Sequence, residues 1–385
     1  MRTNFIRIIL LLCVSLCTSC VEEYSLDIDK YENIIVVDGM ITDKPGPYLI
    51  KLSTSSEIIK PQQIPFSNAE VIIFDNEGNS ETLTENNPGE YYTNDDGIRG
   101  VIGRKYKIQI TTPDNKIYFS DFEELFAAVE IDSVYTNIEY QQNIFNPYDL
   151  VGLQFYIDTK IAERDTNYFL WQLESTYEYN SSYLISYIYD KYYLKPLENR
   201  DTLFTCWKTD ILPEILVSNT VNLTEPKIKG FQLNYVTTED RELSIKYSLL
   251  IKQFTITQKA YIFWHNVEEV NSDQGALFSI LPYQIRGNMH CETDNNEHIL
   301  GYFMAAGISE RRIFIERPEL DFHYWQCYLT KRDFEAYGYI RWTPSSSWPL
   351  YVVTSPNGSQ ALPHQDCVDC TRKGGTVDMP EFWTE

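Results

Sequence analysis

From Ile34 onward the chain is built of short apolar runs, each cut off by a turn residue, and that rhythm favours stacked β-sheets over any helical fold. Ile34-Ile35-Val36-Val37 ends on Asp38-Gly39. Tyr48–Leu52 follows, then Val71-Ile72-Ile73-Phe74, which Asp75-Asn76-Glu77-Gly78-Asn79 turns back into Ser80–Thr84. Gly103–Ile110 alternates polar and apolar residues, and Pro113-Asp114-Asn115-Lys116 leads into Ile117-Tyr118-Phe119. Strands so closely spaced predict an immunoglobulin-like β-sandwich over residues 34–127. The Asp75 turn has calcium-loop residue types, but Ser80 and Asn86 stand where an EF-hand needs Gly and Glu, so it reads as a hairpin turn.

A boundary is expected at Ala127-Ala128. Residues 128–385 then form a larger β-rich domain with a cysteine-containing tail. Its runs are Gly152–Thr159, Tyr168–Thr176, Ser182–Tyr189, Arg241–Lys252, Leu300–Phe303, Arg312–Ile315 and Leu350–Thr354. One stretch departs from the pattern. Thr255-Ile256-Thr257-Gln258 reads as a capping box, and Ala260, Phe263, Trp264, Val267 and Val270 fall on one helical face. The expected fold is mainly β with one packed α-helix.

The N-terminus is an address. Arg2 and Arg7 bracket the start of an apolar Ile8–Leu16 segment, too short for a stable membrane span, so residues 1–19 read as a secretory leader. Thr18-Ser19 places two small side chains before Cys20, as lipoprotein signal peptidase requires, although Cys17 stands where leucine is usual. Cys20 is the expected lipidation site, and several acyl chains there give stable anchoring to membrane lipid. Residues 20–33 are polar and acidic and read as a tether. Val21-Glu22-Glu23 resembles the surface-export signal of Bacteroidota lipoproteins.

Charge narrows the partners. Asp and Glu total 55 against 32 Lys and Arg, a net charge of −23, and the densest basic pair, Arg311-Arg312, is flanked by Glu310 and Glu316. Such a chain repels phosphate, so nucleic acid is not an expected partner. No segment after the leader is apolar enough for a membrane helix, which excludes helical transporters and channels.

Five cysteines follow Cys20: Cys206, Cys291, Cys327, Cys367 and Cys370. An envelope location permits disulfides, and an odd number leaves one thiol over. Cys367 and Cys370 either close a small local loop or pair outward to pin the tail. The alternative is metal: His364, Cys367 and Cys370 have ligand-like spacing, and His290, Cys291, His323 and Cys327 could add more. Disulfides are the expected reading, with no metal and no cofactor. Nucleophile elbows, zinc-protease helices and phosphate-binding glycine loops are missing, so enzymatic activity is not expected. Carboxylate pairs such as Glu123-Glu124 and Glu268-Glu269 are plentiful, but glycosidase chemistry needs two carboxylates across one cleft.

The most suggestive ligand feature is a tyrosine cluster: Tyr177, Tyr179, Tyr183, Tyr187, Tyr189, Tyr192 and Tyr193. Tyr177 and Tyr179 mirror Tyr187 and Tyr189 about Asn180-Ser181-Ser182, and a hairpin there would gather aromatics on one face. Such a face stacks on sugars or forms a protein interface; the alternative is cross-strand packing within the sheet.

Several motifs together resemble domain-of-unknown-function family 4249. They are Ile35-Val-Val-Asp-Gly-Met-Ile-Thr42, Thr205-Cys-Trp207, Arg286-Gly-Asn288 before Cys291, Leu300-Gly-Tyr-Phe303, and Cys367-Val-Asp-Cys370-Thr-Arg-Lys-Gly-Gly-Thr376 followed by Pro380-Glu-Phe-Trp383. The resemblance covers nearly the whole mature chain. It implies a Bacteroidota outer-membrane lipoprotein, often beside a TonB-dependent receptor, and carries no catalytic residue with it. The expected role is a non-catalytic accessory or binding subunit of a TonB-dependent transport system at the cell surface. The alternatives are a structural or adhesive lipoprotein, or an enzyme acting on a surface polymer.

Overall fold

The computed structural model describes residues 34–55, 64–143, 148–189, 193–272, 285–294, 297–324, 327, 329–330, 344, 348–355 and 358–383. The leader, Cys20 and the tether lie outside the described residues. The chain is mainly β, with one α-helix among the described residues. The first ten strands are β1 (Ile35–Thr42), β2 (Leu49–Thr54), β3 (Ile64–Pro65), β4 (Glu70–Asp75), β5 (Ser80–Thr82), β6 (Thr84–Asn87), β7 (Glu90–Tyr92), β8 (Lys105–Thr111), β9 (Ile117–Ser120) and β10 (Glu123–Glu124). Next come β11 (Ile131–Gln141), β12 (Leu150–Thr159), β13 (Tyr168–Asn180), β14 (Tyr187–Tyr189), β15 (Leu194–Pro196), β16 (Thr205–Ile211), β17 (Leu216–Asn219), β18 (Phe231–Thr237) and β19 (Lys246–Ile256). Helix α1 (Gln258–Ser272) precedes β20 (Met289–Cys291), β21 (Leu300–Glu316), β22 (Leu329–Thr330), β23 (Leu350–Thr354) and β24 (Gln360–Pro363). No helix among the described residues is long and apolar enough to cross a membrane.

A ten-stranded sheet is the backbone of the molecule, ordered β16-β13-β19-β21-β1-β2-β7-β6, with β17 beside β13 and β3 beside β2. The second sheet, β20-β9-β8-β4-β5 with β10 beside β8, faces its N-terminal half. Between them alternate residues of both sheets, such as Val37, Ile50, Ile73, Ile108 and Phe303, form one buried core. Each such large apolar side chain contributes about 1.5–3 kcal/mol when fully buried.

Residues on both sides of position 127 build these two sheets. β1 pairs in parallel with β21, from Val36 opposite Leu300 to Thr42 opposite Ala306. β20 adds to the edge of β9. The register of β1 and β21 depends on Gly301, whose φ is +93° and whose Cβ, if present, would lie 1.8 Å from the Val37 carbonyl oxygen. Only glycine fits there.

The expected runs Leu300–Phe303 and Arg312–Ile315 are one strand, β21. Small residues join them: the chain at Phe126 and Ala127-Ala128 crosses directly over Gly307, where a Cβ would come within 2.4 Å of the Phe126 oxygen and the Ala128 nitrogen. Both faces of β21 are therefore covered, which hides its period from the sequence.

The same alternation organises the rest. On β13, Phe169, Trp171 and Leu173 face the third sheet, β11-β12-β18, while Tyr168 and Leu170 face α1. Trp171 stacks on Phe231 at 4.4 Å and donates its indole N–H to Gln253 Oε1 at 3.0 Å. Ala260, Phe263 and Trp264 seat α1 on Tyr302 and Met304, as the helical spacing predicts. The cap differs from the expected box. Thr255 belongs to β19, and it is Thr257 Oγ1 that accepts the Ala260 N–H at 3.2 Å.

The fourth sheet, β15-β14-β23-β24-β22, packs on Val368 in a tail of two short 3-10 turns, Gln365–Cys367 and Cys370–Lys373.

Candidate functional site

Two disulfides hold that tail. Cys206 on β16 bonds Cys370 across 164 residues, and Cys327 bonds Cys367 across 40. Cys367 and Cys370 thus pair outward with separate partners. Cys291 is left as a buried free thiol on β20. His364 is exposed and paired with Asp366 at 3.1 Å. The ligand-like spacing does not converge: no group of three or more metal-ligating side chains occurs among the described residues. The Asp75 loop is a hairpin turn, its carboxylate accepting the N–H groups of Glu77 and Asn79 and pairing with Arg104 at 2.9 Å.

The tyrosine hairpin does not form. β13 runs on between β16 and β19, whereas β14 pairs with β15 and β23 in another sheet. The turn at Asn180-Ser181-Ser182 is drawn toward the tail instead: the Ser182 N–H donates to the Cys367 carbonyl at 2.8 Å. Tyr179 is buried, its hydroxyl donating to the Cys370 carbonyl at 2.6 Å. Tyr187 and Tyr189 are half-buried, and Tyr189 tilts against Trp348 at 5.3 Å. Tyr192 lies outside the described residues. Of the four expected contact tyrosines, Tyr177 is half-buried against Tyr179 at 5.6 Å and reaches a cavity.

Tyr177 lines a cavity of about 610 Å³ between the end of β13, the β18–β19 turn and the disulfide-held tail. A second cavity of about 480 Å³, reached by Tyr183 and Ser182, shares Arg241, Tyr324 and Cys327 with the first. Both volumes fall in the range of small-molecule sites, about 300–1,000 Å³.

Arg241 stands between them. Its Nη1 donates to the Asn180 carbonyl at 2.6 Å and its Nη2 to Ser182 Oγ at 2.9 Å. The guanidinium lies 4.9 Å from the Tyr324 ring centroid, a cation–π contact. Lys373, at the end of the tail's second 3-10 turn, reaches the same wall; burial and the neighbouring Arg241 charge lower its pKa against a weaker pull from Asp366.

Acidic groups share the lining. Burial, together with Asp240 and Asp210, pushes the Glu242 carboxyl up to about 7, with Lys208 opposing. Burial, then Glu242, Asp210 and Asp240, raise the Tyr177 phenol. Lys208 is itself engaged by Asp210 at 2.8 Å. The lining brings hydrogen-bond donors and positive charge, carboxylates and aromatic rings to one space.

Arg241, Glu242, Tyr324 and Lys373 were not among the residues the sequence singled out. Glu239-Asp240-Arg241-Glu242 carried a signal, a dense charged turn between two strands, but Arg241 reads as the start of a strand that begins at Lys246. No curated protein matches this chain. The profile of one family, described as "Domain of unknown function (DUF4249)", matches residues 21–312, and the chain belongs to that family.

Proposed function

We propose that this protein is a lipid-anchored outer-membrane protein that acts as a non-catalytic binding subunit beside a TonB-dependent receptor. The observation that carries the reading is the cavity around Arg241, of ligand size, walled by aromatic rings and opposed charges. The Thr18-Ser19-Cys20 sequence supports the anchor. The chain length between Cys20 and the first described residue, Ile34, sets an upper limit of about 45–50 Å on the reach from the anchor. Confinement to that layer raises the local concentration near any receptor in the same membrane, so modest contacts suffice. The net charge of −23 steers the protein toward basic receptor loops and makes the encounter weaken as salt rises.

The test is crosslinking in intact cells and recovery through a C-terminal tag. Wild-type protein brings a receptor with it from the outer membrane, and Cys20→Ala leaves the membrane fraction. Recovery of the protein alone, under conditions that keep other membrane complexes intact, rejects the receptor role. A second reading, an adhesive interaction protein, is favoured by Ile138, Tyr140 and Tyr148, which flank the end of the β11–β12 hairpin and are 52%, 68% and 79% exposed. Loss of a partner on changing these three, with the cavity intact, selects it.

A further inference from the structure

We infer that the cavity around Arg241 takes a small zwitterionic ligand, of the class of a free amino acid or short peptide, with its carboxylate toward Lys373 and Arg241 and its ammonium toward Glu242 and Asp240. The inference rests on the reading of the chain as a binding protein and names the chemistry of what it binds.

Charge pairing in the cavity is incomplete in a particular way. Lys208 is paired with Asp210, whereas Asp366 contacts His364, which is charged only when protonated, and also pulls on Lys373. Among the described residues Lys373 has no hydrogen-bond or ion-pair partner, and Arg241, though bonded to Asn180 and Ser182, has no carboxylate within ion-pair distance. Glu242 and Asp240 likewise accept no side-chain hydrogen bond from a described residue. Two positive groups, Arg241 and Lys373, and three carboxylates without an ion pair among the described residues, Glu239, Asp240 and Glu242, thus line one space. They do not neutralise each other: the charges that act on Glu242 are Asp240, Asp210 and Lys208, and those that act on Lys373 are Arg241 and Asp366.

Each end therefore carries self-repulsion. Burial first, and then the like charge beside each, lowers Lys373 and raises Glu242, with Asp366 and Lys208 opposing. A simple anion or cation would relieve one end. A molecule with a carboxylate and an ammonium relieves both, and the Tyr177 and Tyr324 rings receive the body between them. Arg241 retains N–H groups for a carboxylate after its two structural bonds, since a guanidinium has five.

The test uses the full mature chain in detergent, disulfides intact, and isothermal titration calorimetry. The probes are tyrosine, the tripeptide Gly-Tyr-Gly, its N-acetylated and C-amidated forms, and a neutral trisaccharide. The free tripeptide or tyrosine binds, and blocking either tripeptide terminus weakens binding about tenfold, the scale of one lost charged hydrogen bond. Lys373→Met narrows the difference between acid and amide, and Glu242→Gln narrows the difference between amine and N-acetyl, each leaving the other difference unchanged. Both variants are checked for wild-type circular dichroism. The inference is overturned by no heat from the free tripeptide at about 10 mM, by equal binding of free and blocked peptides, or by trisaccharide binding indifferent to both substitutions. A chain that binds peptide but recovers no receptor keeps this inference and loses the transport role; the converse result loses only the ligand.

Discussion

Opening the outer disulfide should cost more than opening the inner one, and the difference follows from chain length. Cys206–Cys370 spans 164 residues and Cys327–Cys367 spans 40. Loop-closure entropy assigns about 5 kcal/mol to the first and about 4 kcal/mol to the second at room temperature, as upper values. The perturbation is the pair Cys206→Ala with Cys370→Ala, which avoids burying two new hydroxyls at positions that are 0% exposed. The tail also has other attachments. Tyr179 holds the Cys370 carbonyl, and Trp207 exchanges two backbone hydrogen bonds of 2.8 Å with Thr376. These survive in the folded variant, so the loss is about 3–5 kcal/mol for the outer pair and about 2–4 kcal/mol for the corresponding Cys327/Cys367 pair. Against a total stability of about 5–15 kcal/mol either is large. Urea unfolding followed by tryptophan fluorescence measures both, and Trp207 and Trp383 report the tail directly. Variants within about 0.5 kcal/mol of wild type, or an inner loss exceeding the outer one, would refute the loop-entropy reasoning.

Glu242→Gln should change the pH profile of stability: the folded carboxyl, raised to about 7, makes wild type lose stability as pH rises from about 4.5 to 7, and the variant lacks that loss. The gain at pH 8 is about 1–2 kcal/mol after discounting for partial exposure, read from urea midpoints at pH 5 and pH 8. Gly301→Ala forces a side chain into the Val37 carbonyl at positive φ, and expression as folded protein should fall sharply, with a loss of about 3 kcal/mol or more by thermal melting. Tyr302→Phe removes the 2.6 Å hydroxyl donation to the buried Glu123 carboxyl and should cost about 1–3 kcal/mol in urea unfolding. Cys291, 4% exposed, should resist iodoacetamide in the native protein and react once denaturant is added, as mass spectrometry of the alkylated peptide will show.

The strands of the first hundred described residues were legible because most have one clear face. β8 reads Lys-Tyr-Lys-Ile-Gln-Ile-Thr and buries Tyr106, Ile108 and Ile110 in strict alternation. α1 was legible for the matching reason, a stripe of period 3.6 resting on the sheet. β21 was split in two because its small residues, Ala305-Ala306-Gly307, weaken the apolar signal where the strand is most deeply covered. Strand order is a different matter. The parallel pairing of β1 with β21 joins residues more than two hundred positions apart, and no local pattern announces it.

The motifs singled out in the sequence gather at two junctions, and the tail stretch of the second, which borders the cavity, lies beyond residues 21–312 that the family profile matches. At the first, Gly301 on β21 lies against β1, Gly287 packs on the Gly301 carbonyl, and Asn288 exchanges two hydrogen bonds with Phe303 at 2.7 and 3.0 Å. At the second, Cys206 bonds Cys370, Trp207 pairs with Thr376, and Gly375 sits where a Cβ would meet the Tyr179 hydroxyl at 2.4 Å. Both are places where distant backbone segments approach too closely for ordinary side chains, so their residue types are set by geometry and stand out in a sequence. The second junction does something further: by fixing the tail against β16 it raises the wall on which Lys373 stands. Asp240 and Glu242 face that wall from the β18–β19 turn, and neither junction uses them. Exchanging them alters the electrostatics of the cavity and leaves the fold in place, which is the condition under which one scaffold can serve different ligands.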